Sequence, residues 1–132
     1  MTKSLIILIL GVSIIAHAQL TAIVSPAKVA GQKAIVGVHL QNNFTNGIES
    51  ARAVCFLQDS QGKMVGETTK WVIGEKKTVL KAGDSSSFNF VITGHEPFAD
   101  TNLTAKISFI RITLDNGSFV NAHDVIMANT NK

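Results

Sequence analysis

The stretch from Gly47 to Trp71, GIESARAVCFLQDSQGKMVGETTKW, limits what this chain can fold into more than any other. Successive side chains of a strand point to opposite sides. Ala51, Ala53, Cys55 and Leu57 therefore share one face, and Arg52, Val54, Phe56 and Gln58 the other. Both rows are partly apolar, which suits a strand covered by a second sheet on one side and by neighbouring side chains or loops on the other. Asp59-Ser60-Gln61-Gly62 then supplies a turn. Its Asp bonds back to the backbone, and its Gly tolerates positive φ. No helix continues through such a sequence. The return strand holds Met64-Val65-Gly66, the segment 68–72 and the one Trp of the chain. Gly66 inside it marks a bulge or a close backbone approach.

The remaining segments repeat this pattern. Leu20 to Val24 reads as a first strand, ended by Ser25-Pro26 because proline lacks a backbone donor and restricts the residue before it. After a break at Gly31-Gln32, Lys33 to Asn42 alternates, with Ala34, Val36, Val38 and Leu40 on one face. Asn42 to Gly47 is a polar loop. A turn at 74–77 leads to a short strand at Thr78 to Leu80 and a corner at Lys81 to Asp84. Ser85 to Thr93 sets Ser86, Phe88, Phe90 and Ile92 on one side, the pattern of a half-buried strand. A longer loop runs from Gly94 to Thr104. Lys106 to Leu114 follows, with Ile107, Phe109 and Arg111 on one side and Ser108, Ile110, Ile112 and Leu114 on or near the other. Asn116-Gly117 is the centre of a two-residue hairpin turn, and Phe119 to Ile126 is the final strand.

Strands about ten residues apart, separated by turn signals and without a helical period, predict an all-β fold. The expectation is an immunoglobulin- or fibronectin-III-like antiparallel β-sandwich of about seven strands. The chain has one cysteine, so no internal disulfide can join the sheets. Phe56, Trp71, Phe88, Phe90, Phe109 and Phe119 are the large rings expected to fill the interior instead.

Leu40-Gln41-Asn42-Asn43, Cys55-Phe56-Leu57-Gln58-Asp59, Gly62-Lys63-Met64-Val65-Gly66 and Leu80-Lys81-Ala82-Gly83-Asp84 with Phe88 and Phe90 form an ordered set of motifs. In this set the chain resembles the FxLYD-type family of small extracytoplasmic immunoglobulin-like domains. The resemblance runs from Val36 to Thr93. The chain departs from the family at Cys55, where the family has Phe, at Gln58, where it has Tyr, and at Ala82, where it has Pro. The resemblance implies a sandwich fold outside the cytoplasm, and it carries over no catalytic residue.

The first 18 residues read separately. Lys3 precedes an apolar run from Leu5 to Ile15, and Ala16-His17-Ala18 closes it, as in a secretory signal peptide cleaved after Ala18. The run is shorter than the roughly 20 residues of a membrane span. No cysteine at the cleavage point suggests a lipid anchor. The expected product is residues 19–132, one immunoglobulin-like domain, secreted or periplasmic, with no membrane span after cleavage. Lys3 is the only charged residue removed, so the net charge goes from +3 to +2. That is too mild for a nucleic-acid partner, which calls for a basic stripe with aromatic neighbours.

Few residues suggest chemistry. Cys55 alternates with Ala53 and Leu57 like a small core hydrophobe. Asp59, Asp115 and Asp124 fit turn or edge positions better than a carboxylate pair. No phosphate loop, zinc spacing or nucleophile elbow is present, so the chain is expected not to be an enzyme and to need no cofactor. His39, His95 and His123 with Met64 and Met127 form the one set suited to a soft metal. Its best candidates are His123 and Met127, which would make the chain a periplasmic copper carrier. Lys63, Lys70, Lys76, Lys77 and Lys81 cluster after the central turn, where they can meet an acidic partner or guard an edge strand against aggregation. Asn43-Phe44-Thr45, Asn102-Leu103-Thr104 and Asn116-Gly117-Ser118 match the glycosylation sequon, which matters only for secretion through an endoplasmic reticulum. The primary expectation is a non-catalytic module that binds another protein or a cell-envelope component through an exposed strand edge or the loop ends of the sandwich.

Overall fold

The computed structural model describes residues 20–74, 79–120 and 125–129, the last of these by backbone alone. The expected signal segment 1–18 lies outside the described residues. Eight strands form: β1 (Leu20–Val24), β2 (Lys28–Ala30), β3 (Lys33–Asn42), β4 (Ile48–Gln58), β5 (Met64–Ile73), β6 (Ser85–Thr93), β7 (Thr104–Leu114) and β8 (Val125–Asn129). They make two facing sheets, one of five strands and one of three in the order β5-β4-β7. The all-β sandwich predicted from the alternation is the observed fold.

β3 is the axis of the larger sheet. It pairs antiparallel with β6 from Lys33↔Thr93 to Gln41↔Ser85. Elsewhere along it, β2 pairs with Lys33 to Ile35 and β1 with Val38 to Asn42. β1 and β2 are thus one ribbon interrupted at Pro26, which cannot donate to the ladder. Ser25 still holds register by donating its N–H to the Gly37 carbonyl at 2.9 Å. Counted this way, eight strands make about seven ribbons.

β4 organises the smaller sheet, as its sequence suggests. Its inner row, Ala51, Ala53, Cys55 and Leu57, is fully buried. Three of these four side chains are small, which leaves room for larger groups of the same core, among them Leu40, Phe90 and Ile92. The expected aromatic interior is therefore corrected. Phe90 is the one fully buried ring among the described residues, while Phe88 and Phe109 pack partly against the core. Phe56 and Trp71 sit opposite the outward residues Glu67 and Arg52, and Phe119 is 66% exposed. Aliphatic side chains close the interior without a cross-link.

Two other expectations fail for local reasons. In β7, Ala53 faces Phe109 and Arg52 faces Arg111, which leaves Ile110 as an extra, unpaired residue. Such a bulge reverses the alternation. Ala105 and Ile107 point inward before it, Ile112 and Leu114 point inward after it, and Arg111 points outward. The last strand also differs. Phe119 makes only an isolated bridge to Thr113, whereas β8 pairs parallel with β1 in the other sheet. The chain therefore changes sheets instead of extending the hairpin. Leu80 likewise contributes a single bridge, to Ile48.

The turns show how short-range chemistry fixes these registers. Asp59 accepts from the N–H groups of Gln61 and Lys63, each at 2.9 Å, and Gly62 has φ +82°. At the β7 hairpin, Leu114 donates to the Ser118 carbonyl at 2.8 Å and accepts from Gly117, whose φ is +88°. That makes a three-residue loop with a left-handed glycine, not the two-residue turn read from Asn116-Gly117. Asn42, the one buried polar residue described, joins three segments. Its side chain donates to the carbonyls of Asn46 and Leu80 and accepts from the Phe44 N–H, at 2.9 to 3.1 Å.

Candidate functional site

The outer face of the three-stranded sheet carries the most chemically pointed arrangement of the described residues. Trp71 of β5, Arg52 of β4 and Arg111 of β7 occupy one row across the three strands. Phe119 lies diagonally beyond, opposite Thr113. The Arg52 guanidinium lies 5.8 Å from the centre of the Trp71 ring, and that of Arg111 lies 4.9 Å from the centre of Phe119. Each cation rests on an aromatic ring, an attraction of about 0.5–1 kcal/mol at an exposed site. The two cations lean away from each other toward those rings.

Like charges directly opposite on a sheet are unfavourable. No carboxylate among the described residues forms an ion pair with either arginine. The acids of the same strands are Glu49, three residues before Arg52 on β4, and Glu67, opposite Phe56 and four residues further along β4. The bulge at Ile110 creates the juxtaposition. Were the alternation to run unbroken through Ile110, Arg111 would keep the inward parity of Phe109. Ile110 itself is 57% exposed and lies beside the row. Sequence reading places Arg52 outward but groups Arg111 with the inward residues Ile107 and Phe109. A bulge leaves no clear mark in the alternation of this segment, and the exposed Ile110 is its one trace.

The other sequence candidates are dispersed. Lys70 stands opposite Ala53, on the inner side of β5. It reaches the edge strand of the other sheet, where its ammonium donates to the Asn89 carbonyl at 2.7 Å and lies 5.5 Å from the Phe90 ring. It clasps the sandwich shut between β5 and β6. Lys63 and Lys81 are exposed elsewhere, and Lys76 and Lys77 lie outside the described residues. A cleft of about 350 Å³ opens farther along the same seam, lined by Val72, Ile73, Leu80 and Phe88 with a serine rim at 85–87.

Cys55 is completely buried, and burial pushes its thiol up to about 11. His39 is hydrogen-bonded through Nδ1 to the Ser87 hydroxyl at 2.8 Å on the outer face of the larger sheet, while His95 is exposed on a loop. Met64 is exposed at the start of β5. His123 and Asp124 lie outside the described residues, and of Met127 only the backbone position, opposite Ala22, is described. Among the described residues no three of His, Cys, Asp and Glu gather as metal ligands. Asp59 serves its turn. Asp115 accepts from the Gly47 N–H at 3.0 Å and so ties the last hairpin to the loop before β4. Asp100 is held below the usual carboxylate range by the N–H groups of Asn102 and Ser60.

No family model matches the chain, and no curated protein does. Solved structures do. The protein described as ApaA from Bordetella pertussis matches with a TM-score of 0.57 and 14% identity, over 77% of this chain and 85% of that one. IrmA from Escherichia coli matches with a TM-score of 0.50 and 13% identity, over 83% and 92%. At these identities the likeness is one of fold, and it covers most of each molecule.

Proposed function

We propose that this chain is a non-catalytic β-sandwich module that acts outside the cytoplasm and binds a protein partner across the outer face of the β5-β4-β7 sheet. The observation that supports this reading is the row Trp71, Arg52, Arg111 and Phe119. Its cations are adjacent, exposed and without a carboxylate partner among the described residues. Aromatic residues and arginine are the types enriched where partners dock, and they dominate the energy of such contacts. The non-catalytic part of the reading rests on a sealed Cys55 and on carboxylates committed to turns. The extracytoplasmic part rests on the signal-like segment at 1–18 and on the resemblance to the FxLYD-type domains.

The face also suits binding better than the β5 and β6 edges do. An inward-pointing charge is a device that discourages strand addition, and Lys70 occupies that seam. A photo-crosslinking residue at Ser108, beside the row on β7, tests the proposal in the native envelope against the same residue at Val91 on the opposite sheet. Adducts from position 108 and none from 91 are expected. Adducts from 91 alone would overturn the assignment of the face.

A further inference from the structure

We infer that the partner contributes an acidic polypeptide segment, whose carboxylates dock on Arg52 and Arg111. This inference rests on the binding face proposed above and names the chemistry that fits it. Three features lead to it. The first is charge: two arginines stand opposite each other in the strand register, with no counter-ion among the described residues, at a cost to the free fold that a carboxylate pair removes. Guanidinium binds carboxylate through two parallel hydrogen bonds, so each arginine specifies one acid.

The second is spacing. The Cα atoms of directly opposed residues in an antiparallel pair lie about 4.5–5.5 Å apart. The two heads diverge from there, one toward Trp71 and one toward Phe119. Alternate residues of an extended segment point the same way and are about 7 Å apart, which matches heads that have moved outward from that Cα spacing. An Asp-x-Asp or Glu-x-Glu element laid across β4 and β7 meets both arginines with its first and third side chains.

The third is the character of the surround. Each aromatic ring already has a guanidinium over it, so that face is closed to a stacked sugar. The exposed apolar groups beside the row, Ile110 and Phe119, suit the side chains that flank acids in a polypeptide. An anionic polysaccharide would use the charge and leave these groups uncovered.

The single tryptophan of the chain sits in this row, so its fluorescence reports occupancy directly. Purified protein titrated with poly-L-glutamate at low salt is expected to show a saturable change in Trp71 emission. The apparent affinity should fall at least tenfold in the R52Q/R111Q variant, whose circular dichroism and unfolding midpoint should match the parent. Polygalacturonate at equal charge should bind at least tenfold more weakly than poly-L-glutamate. Binding that survives R52Q/R111Q, no binding by the parent, or equal binding of the polysaccharide would each overturn the inference. The Ser108 crosslinker separates the two levels of the argument. Protein adducts from position 108 without poly-L-glutamate binding remove the acidic partner and leave the binding face. The absence of adducts removes both.

Discussion

Cys55 shows how little of a residue's role is fixed by its reactivity. The inner row of β4 needs small side chains, and a neutral thiol is one of them. Burial raises its pKa from 9.0 to about 11. A group whose folded pKa is raised gives stability that is complete below its unfolded pKa and is lost as pH climbs through the folded one. For Cys55 the window is therefore pH 9 to 11, and the loss is about 2–3 kcal/mol by linkage. Denaturation midpoints measured from pH 8 to 11 should fall more steeply for the parent than for Cys55→Ala, and thiol reagents should not label the folded parent at neutral pH. The chain has no tyrosine, so no phenol titrates in the same range. At this scale the sequence was readable: alternation with Ala53 and Leu57 marked Cys55 as core. Asn42 was read only as the end of a strand and part of a family-like pair. Its three hydrogen bonds reach carbonyls and an N–H on segments that alternation does not connect.

At the scale of strands, what alternation predicts holds until a bulge intervenes. β3 and β6, and β4 from Ala51 to Leu57 beyond a slip at Glu49, bury the rows that their sequences place inward, because each keeps a two-residue period over that span. Gly66 was expected to mark a bulge or a close approach, and it is next to both. The register slips past Val65, and a Cβ at Gly66 would come within 2.9 Å of the Ile92 side chain. β7 departs because Ile110 is inserted between two inward runs, and this reversal produces the arginine row. Deleting Ile110 removes only the extra residue: Arg111 then follows Phe109 directly, stays opposite Arg52 and outward, and Ile112 stays inward. The deletion variant is therefore expected to keep its unfolding free energy in urea within about 1 kcal/mol of the parent, and Ile110→Ser, which keeps the bulge, within about 0.5 kcal/mol. If Ile110 were not the extra residue, the one-residue slip would turn the following side chains to the other face, so a loss of about 3 kcal/mol or more on deletion would count against the bulge. The final strand was misplaced for a different reason. Its local pattern suits a hairpin, and only pairing between segments distant in sequence, β8 with β1, shows that the chain crosses to the other sheet.

Across the whole molecule, two sheets close over an aliphatic interior, and the smaller one displays paired arginines on its open side. The layered fold could be read from strand spacing and turns. The face could not, because it depends on a register between β4 and β7 that no local signal encodes. That register is the claim from which the proposed function and the partner chemistry both follow, and it is open to a direct check. In a Cys55→Ala background, cysteines replacing Arg52 and Arg111 would lie directly opposite each other, within the Cα range of a disulfide. The account predicts that this pair oxidises readily within one chain, while cysteines replacing Arg52 and Ile110 stay reduced under the same conditions. A bridge in the Ile110 pair, with none in the Arg111 pair, would contradict it.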